Sequence, residues 1–468
     1  MIADREVPPL DLSVPRRVHV VAAGGAGMSG IATVLAQQGH HVTGSDLAES
    51  AALDALRGLG VAVTVGHDPS VVDGADAVVV STAVPPDDPE VLEAARLGIR
   101  VLRRVDLLPS FADRQPFLSV SGTHGKTTTT SMLAAVLQGT GAEPSFLVGA
   151  RVPVLGAAAG HGDGPWFVLE ADESDGSFLA GPRAAALVTN VEPDHLEHWG
   201  GWDRLCDAFR RFLAGTDGPR LVCADDPEAA AIGDEVGATS YGTAPGAVHR
   251  MVDVRAAGGG IGFRLVTGGR SHEVRLSVPG LHNARNAAGA LSMVAELGVD
   301  LDAAVEAMGR YTGVARRFER RGEAAGVELV DDYAHLPTEV RAALDAARHG
   351  GWRRVVAVFQ PHRYSRTQAL WQEFAHAFDA ADVLVLTEIH PAGEQPRPGV
   401  TGRLLLDAVR EANPDAEVVW APTLDDAAQH LAGELREGDL CLSLGAGDVT
   451  TLPDRLLPLL REREGAAG

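Results

Sequence analysis

The sequence predicts an α/β protein built from three units with mainly parallel sheets. The chain of 468 residues is about three times the length of a typical domain. Short apolar runs alternate with helical stretches, which is the pattern of parallel strands joined by helices. Two glycine-rich loops each follow such a run and open a helix, the position at which α/β folds bind nucleotides.

The amino-acid composition limits the kinds of molecule that the protein is expected to bind. The chain has 40 basic and 63 acidic residues and a net charge of −23, so a broad basic face for nucleic acid is not expected. Its cysteines, Cys206, Cys223 and Cys441, are too far apart in sequence for a metal-spaced pair or a disulfide framework. The N-terminus lacks the apolar core of a signal peptide, and no apolar run reaches the ~20 residues of a membrane span. We expect a cytoplasmic monomer or homodimer without nucleic-acid or membrane partners.

The first unit carries a glycine run, AAGGAGMSG at 22–30. Its elements are predicted as strands over 18–22, 41–45 and 77–80 and a helix over 31–38. The dinucleotide fingerprint G-x-G-x-x-G matches Gly24 and Gly27, with Ala22 in place of its first glycine. Asp46 follows the next strand, where a ribose-binding acid would lie. The run indicates a diphosphate site for NAD or for a UDP-sugar, and a turn without a ligand is the alternative.

The second unit starts near Arg114 and contains a phosphate loop. A strand over 117–120 is followed by SGTHGKTTTT at 121–130, with a helix over 128–138. Loop N–H groups and the helix N-terminus bind phosphate, a lysine adds positive charge, and the next threonine can bind Mg²⁺. Lys126 is the only lysine of the chain, which indicates that this position requires it. The alternative is an ordinary strand-to-helix turn.

Acidic and histidine residues follow two further strands, predicted at 166–170 and 186–189. Glu170 lies in EADESD and His195 in TNVEPDH. Because the carboxyl ends of parallel strands meet at one sheet edge, both side chains are expected near the phosphate loop, where they could hold Mg²⁺. The alternatives are a solvated acidic loop for the acidic residues and a capping or packing histidine for His195. Two other segments of this unit are predicted as a surface turn (157–164) and as antiparallel hairpin structure with Gly-Gly turns (250–278).

The third unit starts near Arg316, and polar loops follow two of its strands. The strands are predicted at 328–330, 355–359, 383–386 and 440–444. The two loops are DDYAHLP at 331–337 and FQPHRYSRT at 359–367. The second places His362, Arg363 and Arg366 within five residues, and arginine forks suit carboxylates or phosphates. A solvated basic loop is the alternative.

Taken together, these segments resemble the Mur ligase family of peptidoglycan synthesis over about residues 17–453, and within it the alanine-adding branch. The resemblance rests on nine ordered motifs: GGAGMSGIA (24–32), SGTHGKTTT (121–129), EADESD (170–175), TNVEPDH (189–195), LHNARNA (281–287), RRFERRG (316–322), DDYAH (331–335), QPHRYSRT (360–367) and GAGD (445–448). It implies a Rossmann-like UDP-binding domain (1–113), a central P-loop-type ATPase domain (114–315) and a C-terminal Rossmann-like amino-acid-binding domain (316–468). The implied reaction joins L-alanine to the carboxylate of UDP-N-acetylmuramate, with ATP and Mg²⁺, through an acyl phosphate.

The resemblance also implies roles for single residues. The expected catalytic residues are Lys126, Asn190, His195 and His335. The expected ATP contacts are Gly122, Thr123, His124, Gly125, Lys126, Thr127, Thr128, Asn283, Asn286, Arg317 and Asp332. The expected metal ligands are Thr127, Glu170 and His195. The expected contacts to the UDP-sugar or the amino acid are Gly24, Gly25, Ala26, Gly27, Asp46, Ser81, Tyr333, His335, His362, Arg363 and Arg366.

Three departures from the family pattern bear on these expectations. Ala22 replaces a glycine of the UDP-phosphate turn, and Leu336 replaces a polar residue after His335. Some relatives bridge magnesium with a carbamylated lysine, which a chain with Lys126 alone cannot do. Other functions remain open: a related ligase for another amino acid or a peptide, a nicotinamide dehydrogenase using the first glycine run, or a non-catalytic nucleotide-binding regulator.

Overall fold

The computed structural model describes residues 8–81, 83–257 and 260–467. The chain forms two compact units. The first consists of residues up to 252 with 264–274 and 285–311, and the second of 253–263, 275–284 and the chain from 312 onward. Their strands form sheets of five, ten and six strands. No helix of the described ranges is long and apolar enough to cross a membrane.

The first sheet has the strand order β3-β2-β1-β4-β5, and all of its neighbours are parallel. Its strands are β1 (Arg17–Val21), β2 (His41–Asp46), β3 (Ala62–Val65), β4 (Ala77–Val80) and β5 (Arg100–Arg103). Its helices are α1 (Ala26–Gln37), α2 (Ala51–Gly58), α3 (Pro89–Arg96) and α4 (Arg104–Ala112). In such sheets the ligand crevice lies at the carboxyl ends of the strands where the order reverses, here beside β1.

Helix α1 begins five residues before the predicted helix at 31–38. Its first turns contain glycines, which have low helix propensity and interrupt the apolar periodicity. Tertiary packing compensates for this. A Cβ atom on Gly30 would lie 2.2 Å from Leu147 and 3.3 Å from Ala159, so the glycine lets α1 approach two strands of the second sheet. The buried residues of α1 and of these strands share one apolar core.

The second sheet has the order β15-β14-β13-β12-β11-β10-β6-β9-β7-β8. Its strands are β6 (Phe117–Ser121), β7 (Ser145–Val152), β8 (Ala157–Gly160), β9 (Phe167–Glu170), β10 (Arg183–Val188), β11 (Arg220–Cys223), β12 (Thr239–Gly242), β13 (His249–Ala257), β14 (Gly260–Thr267) and β15 (Arg270–Leu276). Its helices are α5 (Lys126–Gly139), α6 (Leu196–Trp199), α7 (Trp202–Ala214), α8 (Pro227–Val236), α9 (Leu281–Glu296) and α10 (Leu301–Gly309). Strands β6, β9 and β10 are parallel neighbours, so their carboxyl ends meet at one edge.

Two predictions for this region have different outcomes. The surface turn predicted at 157–164 is wrong over its first half, because Ala157–Gly160 forms β8, which pairs antiparallel with β7 and packs under α1. Residues 161–164 form a loop. Small residues with little strand propensity form a strand here because they fit beneath the helix. The strands expected within 250–278 are present as β13, β14 and β15, and the Gly-Gly turn at 258–259 lies outside the described residues.

The third sheet has the order β16-β17-β21-β18-β19-β20, parallel except for the pair β16 and β17. Its strands are β16 (Glu319–Ala324), β17 (Val327–Asp332), β18 (Arg354–Phe359), β19 (Val383–Leu386), β20 (Val418–Trp420) and β21 (Asp439–Leu444). Its helices are α11 (Pro337–Arg348), α12 (Tyr364–Phe374), α13 (Arg403–Ala412), α14 (Leu424–Glu434) and α15 (Leu452–Ala467). One apolar cluster covers each face of this sheet, as expected for parallel strands buried on both sides.

Candidate active site

The loop between β6 and α5 has the shape that the phosphate-loop motif predicts. Gly122 and Gly125 have φ angles of +134° and +77°. Residues that carry a Cβ atom rarely adopt such positive φ angles. A Cβ on Gly122 would lie 2.1 Å from the Thr189 hydroxyl, and one on Gly125 would lie 2.7 Å from Asn286 Oδ1. The loop is therefore enclosed by neighbouring side chains, and Asn286, one of the residues expected to contact the nucleotide, lies beside it.

Lys126 is held inside this loop by three acceptors. Its Nζ donates to the carbonyls of Gly122 at 2.8 Å and Thr123 at 3.1 Å, and it lies 2.9 Å from Glu173. Burial disfavours the charged form of Lys126, but the carboxylates of Glu173 and Asp172 outweigh it and hold the pKa of the ammonium above its ordinary value. Burial in turn raises the pKa of Glu173, although the lysine opposes this. The two carbonyls and Glu173 thus fix the Lys126 ammonium at the base of the phosphate loop.

Asn190 supports the loop from the end of β10. Its Oδ1 accepts the backbone N–H of His124 at 2.8 Å and its Nδ2 donates to the carbonyl of the same residue at 3.0 Å. Its own carbonyl accepts the N–H of Thr123 at 3.1 Å. Both the oxygen and the nitrogen of the side-chain amide thus form hydrogen bonds with the loop backbone. Through these bonds Asn190 positions the loop.

Thr127 and Glu170 meet at the edge shared by β6 and β9. The Thr127 hydroxyl donates to Glu170 Oε1 at 2.8 Å, and the Gly149 N–H donates to Oε2 at 2.6 Å. No group of three histidine, cysteine, aspartate or glutamate side chains in the described residues is arranged to hold a metal. Mg²⁺ usually takes one or two carboxylates together with water and substrate phosphates, so a hydroxyl–carboxylate pair beside a phosphate loop fits this ion.

His195 is the predicted metal ligand that the structure does not bring to this pair. It caps α6 with a left-handed φ of +52°, and its Nε2 lies 3.3 Å from Asp194 Oδ2. Burial raises the pKa of the Asp172 carboxyl, but Lys126, hydrogen bonds from Ser174 and, least of all, His195 lower it below its ordinary value. His195 thus lies within electrostatic reach of the acidic loop while its ring contacts Asp194.

The first glycine run forms a tight turn before α1. Ala22 has a left-handed φ of +58°, which explains why a glycine is usual at this place. Asp46 Oδ2 accepts the N–H of Gly24 at 2.8 Å, so this carboxylate shapes the turn itself. A pocket of about 270 Å³ beside the turn is lined in part by Ala22, Asp46, Leu47 and His67. Ser81 follows β4, and its hydroxyl accepts the Ala83 N–H at 3.2 Å.

In the second unit, the DDYAH segment is organised around an aromatic ring. The guanidinium groups of Arg316 and Arg317 each lie 4.9 Å from the centre of the Tyr333 ring, in cation–π contact. Both carboxylate oxygens of Asp332 accept backbone N–H groups. Burial raises the pKa of Asp332 to about 6, although Arg317 opposes this shift. Asn283, the other residue predicted to contact the nucleotide, donates its amide to the Pro279 carbonyl at 2.7 Å.

His335 has the protonation state that a proton acceptor needs. Its Nδ1 lies 3.0 Å from the Tyr333 carbonyl and 3.3 Å from Glu339 Oε2. With two acceptors on this side, we assign the ring proton to Nδ1, which leaves a lone pair on Nε2. Burial lowers the pKa of His335, against the effect of Glu339, so the ring is neutral at pH 7.

His362, Arg363 and Arg366 lie together after β18, and a residue that the sequence did not indicate joins them. Arg366 Nη1 lies 3.2 Å from His362 Nδ1. The ring of His390 stacks on that of His362, with centres 5.5 Å apart and planes at 6°. Arg363 has a strained φ of +70°, a feature common at functional sites. His390 was missed because it follows the next strand, β19, and only the strand order places it here.

The His362 pKa predicts a pH-dependent stability. Burial, followed by His335 and Arg366, lowers the pKa of His362 to about 3. Below pH 6.5 the unfolded chain therefore binds a proton that the folded chain does not, and stability falls as pH decreases from 6.5 towards 3. We expect His362→Gln to reduce the loss of stability between pH 7 and pH 5 by about 1–2 kcal/mol, because the 1.5 pH units below the unfolded pKa correspond to about 2 kcal/mol before solvent screening. Urea unfolding midpoints at both pH values measure this difference.

The matched control is His376→Gln, because His376 is two-thirds exposed and pairs with Asp379. It should lose as much stability between pH 7 and pH 5 as the unchanged protein. A His362→Gln variant with the same pH dependence as this control would contradict the assignment.

Comparison with known proteins identifies the protein family to which the chain belongs. Three adjoining segments match Mur ligase family descriptions: "Mur ligase family, catalytic domain" over 17–116, "Mur ligase middle domain" over 120–294 and "Mur ligase, glutamate ligase domain" over 316–447. The chain belongs to the Mur ligase family. This confirms the family resemblance and, with the three sheets, the predicted three-domain α/β fold.

Individual relatives point to one branch of the family. The chain is 46% identical over 459 residues to UDP-N-acetylmuramate–L-alanine ligase of Kineococcus radiotolerans, covering 96% of this chain and 97% of the relative. It is 45% identical over 467 residues to the protein of the same name from Acidothermus cellulolyticus, covering 97% of each. The crystal structure of UDP-N-acetylmuramate–alanine ligase from Thermotoga maritima matches with a TM-score of 0.81 at 28% identity, covering 97% of this chain and 100% of that one.

Proposed function

We propose that this protein is an ATP-dependent ligase that joins L-alanine to the carboxylate of UDP-N-acetylmuramate, giving UDP-N-acetylmuramoyl-L-alanine, ADP and phosphate. The observation that carries the proposal is the Lys126 phosphate loop facing the Thr127–Glu170 pair, in a chain similar over 96% of its length to ligases of that name. It would act in the cytoplasm on these small molecules, through domains at 1–113, 114–315 and 316–468.

The chemistry requires an activated carboxylate, because a carboxylate does not react with an amine in water at a useful rate. The muramoyl carboxylate oxygen attacks the γ-phosphorus of ATP and ADP leaves, which gives an acyl phosphate. The amine of L-alanine then attacks the acyl carbon and forms a tetrahedral intermediate. This collapses to the amide with loss of phosphate, and the amine releases its proton to a base.

Residues of the first unit serve the first step. Two anions must approach each other, so the site has to supply positive charge. Lys126 and the N–H groups of the loop from Gly122 to Thr128 would bind the ATP phosphates, and Asn190 would hold the loop in place. Mg²⁺, when bound, neutralises phosphate charge. Thr127 and Glu170 are its proposed ligands, with His195 nearby.

Residues of the second unit serve the second step. Arg363 and Arg366 present guanidinium forks suited to the carboxylate of L-alanine, which would fix the direction of its amine. His335 offers an unprotonated Nε2 as the acceptor for the amine proton. Tyr333 and His362 would enclose the amino acid. The proposed nucleotide contacts are Asn286 in the first unit and Asn283, Arg317 and Asp332 in the second.

The test is ATP-dependent phosphate release with UDP-N-acetylmuramate and a panel of acceptors: L-alanine, glycine, L-serine, D-glutamate and a tripeptide. We expect kcat/KM for L-alanine to exceed that of each other acceptor by at least about tenfold, since one methyl group in a fitted pocket is worth about 1–3 kcal/mol. Preference for the tripeptide would indicate a peptide ligase. No release with any acceptor would refute the proposal.

A further inference from the structure

Arg104 lies over the glycine turn of the first unit. It begins helix α4 and is half-buried. A Cβ atom placed on Gly27 would lie 3.1 Å from Arg104 Nη1 and 3.4 Å from its Cδ. The guanidinium therefore occupies the space beside the first turn of α1, where a side chain at position 27 would otherwise be.

The backbone conformation at Gly27 also bears on the placement of Arg104 beside the glycine turn. This residue lies within α1, and its φ is not in the left-handed region. Backbone conformation therefore does not require glycine here. The close neighbour that a side chain would meet is the Arg104 guanidinium. The absence of a side chain at Gly27 therefore lets the guanidinium lie directly against the glycine turn.

Among the residues that the structure describes, no carboxylate pairs with Arg104. Across residues 8–81, 83–257 and 260–467 its only polar contact is a long one, from Nη2 to Ser177 Oγ at 3.4 Å. Ser177 is buried and follows the acidic EADESD segment. The preceding residue, Arg103, instead binds Asp106 at 2.7 Å and is more exposed. A half-buried guanidinium without an anion is costly unless a ligand supplies one.

We propose that Arg104 binds the diphosphate of the UDP-sugar. This rests on the proposed function, which places that diphosphate at the glycine turn. The N-terminal N–H groups of α1 contribute partial positive charge, and Arg104 adds a full charge and two parallel donors that match non-bridging phosphate oxygens. Its contact to Ser177 links the nucleotide turn to the acidic segment that begins at Glu170 and contains Glu173. Arg104 thus orients the sugar nucleotide towards the phosphate loop.

The test is calorimetric titration of the full chain with UDP, with UDP-N-acetylmuramate and with a non-hydrolysable ATP analogue. Loss of a charge-assisted contact should weaken binding about 10- to 100-fold. We expect Arg104→Gln to raise Kd for UDP and for UDP-N-acetylmuramate by the same factor, with the Kd of the ATP analogue unchanged. Arg104→Lys should recover part of the loss. The control Arg103→Gln should stay within about twofold of the unchanged protein.

Comparing the Kd values for UDP and UDP-N-acetylmuramate shows which anionic group of the sugar nucleotide Arg104 binds. Weaker binding of UDP-N-acetylmuramate with normal binding of UDP would place Arg104 on the muramoyl carboxylate and overturn the diphosphate assignment. Unchanged Kd for both would overturn it as well. If Arg104→Gln does not fold, Arg104→Lys keeps the positive charge without the paired donors and should raise both Kd values by a smaller factor. Failure of the unchanged protein to bind UDP-N-acetylmuramate would refute the proposed function instead.

Discussion

Replacing Lys126 with methionine should lower kcat for ATP-dependent ligation by at least about 1,000-fold, the scale of a lost transition-state cation in phosphoryl transfer. The ammonium is the one lysine charge in the chain and lies at the base of the phosphate loop. Binding of UDP-N-acetylmuramate should survive, because its proposed contacts lie at the first glycine run. Phosphate release and calorimetry on the same preparation measure both effects.

The buried partner of Lys126 provides a control for folding. Without the ammonium, the Glu173 carboxylate, only 2% exposed, has lost its cation. Breaking such a pair on one side costs about 3–5 kcal/mol. Burial also raises the Glu173 pKa, so the folded variant binds its proton more readily than the unfolded chain. The defect of Lys126→Met should therefore be larger at pH 8 than at pH 5.

A double variant separates catalysis from stability. Lys126→Met with Glu173→Gln removes both charges, and should recover most of the melting temperature without recovering turnover. Recovery of activity together with stability would mean that Lys126 serves the fold alone. Turnover of the single variant near that of the unchanged protein would remove the central assignment.

Functional residues that directly follow a strand were predictable from the sequence. Lys126 and Thr127 follow β6, and Glu170 ends β9, so adjacent parallel strands bring them together. The end of a strand can be located from the local sequence, because an apolar run marks the strand and the glycine pattern marks the loop that follows it. The same rule predicted the polar loops after β17 and β18.

Features that depend on strand order or on loop folding were not predictable in this way. His390 reaches His362 because β19 lies beside β18, an adjacency that no single strand reveals. Among four nearby acids, Glu173 alone pairs with Lys126 because the acidic loop turns back into the core. The early start of α1 depends on contact between Gly30 and Leu147, which is long-range packing and opposes local propensity.

Glu170→Gln is expected to lower turnover at saturating magnesium by at least about 100-fold, with little loss of stability. The carboxylate accepts from Thr127 with one oxygen and from the Gly149 N–H with the other. An amide has only one acceptor oxygen. If this oxygen keeps the Gly149 contact, the NH₂ group faces Thr127 and reverses the direction of its hydroxyl. The pair then loses the negative charge and the hydroxyl orientation that suit Mg²⁺.

A magnesium titration distinguishes this role from a structural one. The concentration of Mg²⁺ for half-maximal phosphate release should rise together with the fall in kcat, whereas the melting temperature should change little. Glu197→Gln, an exposed acid on α6, is the matched control and should leave both unchanged. If Glu170→Gln kept the magnesium dependence of the unchanged protein, Glu170 would only orient Thr127, and the ion would have to be held by Asp172 and Glu173 in the acidic loop beside Lys126.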